Sequence, residues 1–316
     1  MKKQSSVRRK ALALLLGFVL LCGAFACGAP KEEQTDERPS VVVTIFPQYD
    51  FIRAIANDVV RLTMLVKPGS EVHGFDPTFS EVQEILTSDL FVYVGGESDK
   101  WVEDVLAKTD APVNALSLLS MVDTLDEERA ESMQGEAEDE PEADEHVWTS
   151  PRNAMRIVEA LTGALCDLLP EQADTFRSNA EAYLAKLQSL DDAFHAVMQS
   201  AVRNTVVFAD RFPFRYLCEE LGLSYDAALP GCSSNEEVSL STIAFLIERV
   251  REEALPSVFY IEFSDEKTAD AIVSATGCKK LLLHSCHNVT KADFDAGVTY
   301  LDLMNQNAES LREAVN

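Results

Sequence analysis

The sequence predicts an α/β protein of two lobes, each a mostly parallel sheet flanked by helices, joined by one long rigid helix. Three observations carry that expectation. Short apolar runs alternate with amphipathic stretches over residues 41–169, the same alternation restarts at residue 205, and residues 171–203 between them contain neither Gly nor Pro. Strands and helices alternating at this spacing build parallel sheets with helices on their faces.

In the first lobe, the run Val41 to Phe46, stopped by Pro47, reads as a buried strand. Residues 49–58 read as a helix, and 59–66 as a second strand closed by Lys67-Pro68-Gly69. Residues 79–87 form an amphipathic helix with Val82, Ile85 and Leu86 on one face. A strand at 90–94 ends in Gly95-Gly96, and a helix follows at 101–108. Ser150 can cap, and Pro151 can open, the helix that runs on to Leu169.

Beyond Pro170, apolar residues from Phe176 to Val197 recur every three or four positions. Residues 171–203 are therefore expected as one helix of roughly 33 residues, about 50 Å long at 1.5 Å per residue. The second lobe, 205–316, is expected to hold strands at 205–209, 257–261 and 281–284. Helices are expected at 214–221, 239–254, 266–276 and 298–315, with a loop at Pro230-Gly231-Cys232-Ser233. A ligand belongs in the cleft between such lobes.

Composition narrows the partners. Residues 1–26 carry Lys2, Lys3, Arg8, Arg9 and Lys10, then an apolar run from Ala11 to Ala26 with no acidic residue. That is the pattern of an export signal. It closes on small residues before Cys27, the pattern of a lipoprotein signal whose cysteine is acylated, and 27–40 reads as a polar tether. Removing five basic residues from the 27 leaves 22 against 53 acidic ones, a charge of −31, which excludes a nucleic-acid partner. Residues 123–145 hold twelve acidic side chains and one Arg, and are expected to be a mobile loop that cannot form core. Cys166, Cys218, Cys232, Cys278 and Cys286 remain after the leader; they are too sparse for a disulfide scaffold, though one bridge is compatible with export.

The chain has only five histidines. His73 follows a strand and precedes a helix, His146 sits where the acidic run gives way to ordered chain, and His284 ends an apolar strand. Positions at the carboxyl ends of parallel strands face the ligand crevice, so these three are expected to converge on a metal ion. His195 lies within the long helix and is expected to be structural.

Pro-Gly-x-x-x-His-x-x-x-Pro at 68–77, Glu-His-Val-Trp-Thr-Ser-Pro at 145–151, the long helix and Tyr300-Leu301-Asp302-Leu303-Met304 extend this reading. Together they resemble the metal-binding lipoproteins of bacterial zinc and manganese ABC importers, across essentially the whole chain after the leader. The resemblance implies one ligand in each of four places. His73 and His146 match the first two. Asp210, in Ala209-Asp210-Arg211-Phe212-Pro213-Phe214, is the local candidate for the third, with Glu262 as its substitute and His287 as a poorer one. His284 stands in the fourth place. The family's zinc members commonly carry a histidine-rich loop, whereas the loop here is acidic, without a histidine before His146.

Three imidazoles and one carboxylate suit tetrahedral Zn²⁺, while Mn²⁺ favours more oxygen. The implied protein is a monomer, lipid-anchored through Cys27 on the outer face of the cell membrane, that passes Zn²⁺ to an ABC permease. A manganese-binding protein of the same kind is the nearest alternative. A zinc hydrolase using Glu262 or Asp210 as general base, or an adhesin, are further ones. The sequence contains no HExxH, GxGxxG or Walker pattern.

Overall fold

Two sheets of four parallel strands share one strand order, so the second half of the chain repeats the architecture of the first. The computed structural model describes residues 36–72, 74–109, 112–128, 130, 132–133, 142–231 and 237–316. The expected leader with Cys27, the loop residue His73, and Cys232 lie outside the described residues.

The first sheet runs β2 (Arg61–Met64), β1 (Ser40–Val43), β3 (Leu90–Tyr93), β4 (Ala115–Ser117). The second runs β6 (Ser224–Pro230), β5 (Thr205–Phe212), β7 (Ser257–Tyr260), β8 (Lys279–Leu282). In each lobe the chain leaves its first strand to one side, then crosses back to the other. Such a reversal opens a crevice at the strands' carboxyl ends. β1 is buried along its whole length, as expected of a continuous apolar strand covered on both faces.

Helices α1 (Phe46–Ala56), α2 (Phe79–Leu86) and α3 (Lys100–Leu106) serve the first lobe. Those of the second are α6 (Arg215–Leu221), α7 (Leu240–Glu252), α8 (Lys267–Thr276), α9 (Lys291–Ala296) and α10 (Tyr300–Val315). Between the lobes lie α4 (Pro151–Leu168) and the long helix α5 (Ala173–Ser200). The Ser150 hydroxyl accepts from the Asn153 N–H, so the expected cap of α4 forms. The long helix has 28 residues, not 33. Pro170–Gln172 is a separate 3₁₀ turn, because Pro170 has no N–H and fits only a first turn, and at Ala201 the backbone turns extended. At about 42 Å the helix still packs on α1 and α4 and, with the same apolar stripe, on α10.

Two edge strands, β4 and β6, are absent from the sequence expectation. β4 has three residues, and β6 contains Asp226, Ala227 and Ala228, which favour strands weakly. The acidic loop also differs. Asp126 and Ala143 form an antiparallel bridge, and Glu127 N donates to Glu142 O at 2.7 Å. Met133 belongs to the core, and the Ser132 hydroxyl accepts from Ala227 N at 2.9 Å. The ends of the loop are thus paired with each other, and one point within it is pinned to the second lobe.

One apolar core runs through both lobes, from Val41 and Phe51 through Trp148 and Phe194 to Phe208, Leu283 and Tyr300. Asp50 fastens three elements within it. Its Oδ2 accepts from Tyr300 N at 2.9 Å at the start of α10 and from the Tyr183 hydroxyl at 3.3 Å on α5, and Arg53 pairs with Oδ1. Burial raises the Asp50 pKa despite Arg53. Asp50→Ala leaves the Tyr300 N–H and the Tyr183 hydroxyl without their acceptor, and is expected to lower the unfolding free energy by about 2–3 kcal/mol. Urea denaturation checks this, and a change within about 0.5 kcal/mol would contradict it.

Candidate metal centre

The segment between the acidic loop and α4 carries the first site residue. Its backbone is fixed at several points: Asp144 N donates to Leu125 O, and Asp144 O accepts from the Tyr216 hydroxyl at 2.7 Å. His146 is fully buried, and one carboxylate oxygen of Asp144 lies 2.9 Å from its backbone N and 3.2 Å from Nδ1. A carboxylate at Nδ1 holds the proton there and makes Nε2 the basic nitrogen, the arrangement that orients an imidazole ligand. Burial disfavours the imidazolium, but Asp144, with Glu145 and Glu127, outweighs it and raises the His146 pKa.

The ring has little freedom. A Cβ on Gly231 would stand 2.9 Å from Phe212 O and 3.0 Å from His146 Cε1, so only glycine fits against this face. On another side lies Trp148, fully buried, its ring centroid 5.6 Å from that of His146 and 4.8 Å from that of His287. The His146 and His287 rings meet edge to face at 5.3 Å. Trp148 Nε1 donates to Ser285 O at 2.8 Å, which ties the first lobe's segment to the turn that presents His287.

That turn explains which histidine faces inward. Cys286 takes a left-handed conformation, φ 61°, and donates its N–H to His284 Nδ1 at 2.9 Å. Asn307 brackets His284 by accepting from its N–H and donating to its C=O, both at 2.7 Å. His284 Nδ1 also lies 3.6 Å from Glu262 Oε2, and among the described ring contacts it is His287 that reaches His146. Glu262, two residues past β7, accepts from Ser285 N at 2.7 Å and from the Ser285 hydroxyl. It lines one small cavity together with His287, Gly231, Arg211 and Glu71.

Asp210 lines the adjoining, wider cleft, which shares Glu71 and Arg211 with this cavity. It accepts from Arg211 N at 2.8 Å, and Glu237, Asp265 and Lys267 line the same cleft. Burial raises its pKa against its hydrogen bonds. Arg211 reaches across the lobes, its Nη1 3.2 Å from Glu71 Oε1. The loop that carries position 73 is tied to the His287 turn: Gly69 N donates to Val289 O at 2.8 Å, and Asn288 Nδ2 donates to Lys67 O and Ser70 O at 2.9 Å. His195 lies on α5 beside Asp191 and Arg152. Cys166, Cys218, Cys278 and Cys286 are free thiols.

The family profile described as zinc-uptake complex component A, periplasmic, matches residues 41–314. The chain belongs to this family. Within the zinc-uptake family, the chain is 29% identical to the high-affinity zinc uptake system protein ZnuA of Bacillus subtilis, over 99% of this chain and 98% of that one. It is also 29% identical to the zinc-binding lipoprotein AdcA of Streptococcus pneumoniae, over 97% of this chain. It spans only 61% of the length of AdcA. The crystal structure of the Zn(II)-bound ZnuA-like domain of that AdcA superposes with a TM-score of 0.73 at 28% identity, covering 88% of this chain and 99% of the domain. The metal-dependent lipoprotein YcdH of Bacillus subtilis superposes at 0.75 and 25% identity, covering 88% and 100%.

Gly231, which the sequence places only in a loop, and His287, which it ranks as a poorer candidate, both stand against the His146 ring. Because the Gly231 contact leaves no room for a methyl group, Gly231→Ala is expected to cost about 1–3 kcal/mol of stability and to move the His146 ring resonances in two-dimensional NMR. A variant with parental stability and unshifted His146 signals would contradict the close packing.

Proposed function

We propose that this chain captures Zn²⁺ outside the cytoplasmic membrane and passes it to an ABC permease, held at the membrane by a lipid on Cys27. The observation that supports it most is the buried His146–His287 pair. Two imidazoles on one tetrahedral Zn²⁺, with Zn–N about 2.0–2.1 Å, place their ring centroids about 5 Å apart, and this pair stands at 5.3 Å. Membership of the zinc-uptake family and the names of its relatives point the same way. No described helix is long and apolar enough to cross a membrane.

The proposed ligands are His73, His146 and His287, with Glu262, which lines the same cavity as His287, as the carboxylate. His287 replaces His284, and Glu262 replaces Asp210. A nitrogen-rich set favours Zn²⁺ over Mn²⁺, which takes more oxygen donors. Arg211 at the cavity adds positive charge, which Glu71 and Glu262 offset. In this reading the ion is cargo, and no catalytic step is assigned to the chain.

Zinc titration against a chromophoric chelator separates the two histidines of the second lobe. His287→Ala is expected to weaken Zn²⁺ binding by at least about 100-fold, while His284→Gln stays within about tenfold of the parent. The reverse order would return His284 to the site. Metal analysis of protein purified without chelator is expected to find zinc, and Mn²⁺ in excess should not displace it; a manganese-loaded protein would favour the manganese-binding alternative.

A further inference from the structure

Away from His146 and His287, a second set of donors converges where α5 meets the second lobe. Asp191 and His195 stand one turn apart on α5, hence on one face of the helix. Glu220 comes from α6. One ligand atom from each of the three lies within 4.8 Å of the others. The side chains of Asp191 and Glu220 are only 8% and 6% exposed. Within that burial, Asp191 Oδ1 lies 3.2 Å from His195 Nδ1, and neither it nor Glu220 Oε1 accepts a hydrogen bond of ordinary geometry. Buried carboxylate oxygens are expected to be satisfied by donors or by a cation.

A cationic group already sits where the three converge. Arg152 Nε is 3.5 Å from both Asp191 Oδ1 and Glu220 Oε1, and its Nη2 is 3.0 Å from His195 Nε2. A well-made arginine–carboxylate pair is shorter, about 2.7–2.9 Å, so neither carboxylate holds this guanidinium closely. The Arg152 side chain is 55% exposed and can swing into solvent. His195 Nδ1 is 2.9 Å from Asp191 O, which places the proton on Nδ1 and the lone pair on Nε2, towards Arg152. The remaining oxygens are occupied: Gln188 Nε2 donates to Asp191 Oδ2 at 3.3 Å, and the Ser150 hydroxyl donates to Glu220 Oε2. Each carboxylate therefore offers one oxygen to the centre, and the histidine offers one nitrogen.

We propose that Asp191, His195 and Glu220 form a second divalent-cation site, for which the Arg152 guanidinium is the resident competitor. One imidazole nitrogen and two carboxylate oxygens suit a first-row ion such as Zn²⁺, Co²⁺ or Ni²⁺, with water completing the coordination. Burial, and then a hydrogen bond with the Asp191 carboxylate, raise the Glu220 pKa to about 7, and a divalent ion between the two carboxylates would take the place of that proton. The ion fastens α5 to α6 at Ser150, four residues beyond His146. It is independent of the proposed cargo site, with which it shares no residue.

Co²⁺ is the probe, because its visible absorption reports each site and its geometry. The full chain, freed of metal, is titrated with Co²⁺ by absorption and calorimetry. The parent is expected to bind a second Co²⁺ more weakly than the first. His195→Ala and Glu220→Gln should each abolish that second phase and leave the first unchanged. Arg152→Ala should tighten it by about tenfold by removing the competitor. Circular dichroism confirms that each variant is folded, and His195, partly exposed on a helix, tolerates alanine most readily. A single-site isotherm in both the parent and Arg152→Ala would overturn the proposal. So would a second phase that survives His195→Ala and Glu220→Gln, since that ion would then lie on other carboxylates.

Discussion

The Trp148 indole is the constraint on which the arrangement depends. It is fully buried, donates to Ser285 O in the second lobe, and touches both the His146 and His287 rings. Its own carbonyl accepts from the Tyr300 hydroxyl at 2.6 Å, and Tyr300 N is held by Asp50 from the first lobe. These bonds cross the seam between the lobes from both sides, inside a continuous apolar core. Separating the lobes would expose that core and strand those polar groups, so the pair of histidines is held by the fold itself. Such a seam favours small adjustments in loops over wide swinging of the lobes.

Charge is divided between surface and site. The chain carries 53 acidic residues against 27 basic ones, and such an excess draws cations towards the protein without fixing any geometry. Within the site, each acidic group has a defined partner: Asp144 holds His146 Nδ1, Glu262 braces the Ser285 backbone, and Glu71 pairs with Arg211 across the lobes. Positioning and attraction are thus supplied by different carboxylates.

Much of this was legible in the sequence, for identifiable reasons. The central strands announced themselves as β-branched runs, and His146 stood out because composition changes abruptly beside it. The edge strands β4 and β6 were not legible, being short or poor in β-formers. His284 was preferred over His287 because it ends an apolar run. Alternation of faces holds only while the strand lasts, and β8 stops at Leu282. The left-handed Cys286 then turns the chain so that His287 faces inward, a backbone feature that no residue type signals. Asp210 stands where the β5–β6 register shifts, between Phe208 and Arg211, and lines the wider cleft beside the His287 cavity.

The proposed cargo ion sits on the seam, between His146 and His287 and against Trp148. Anomalous diffraction at the zinc edge from crystals of the zinc-loaded chain tests this most directly. The expected result is one strong peak about 2.0–2.1 Å from His146 Nε2 and from a ring nitrogen of His287, with the backbone of the seam unmoved. A principal peak coordinated by His284 or Asp210, with His287 turned away, would contradict it.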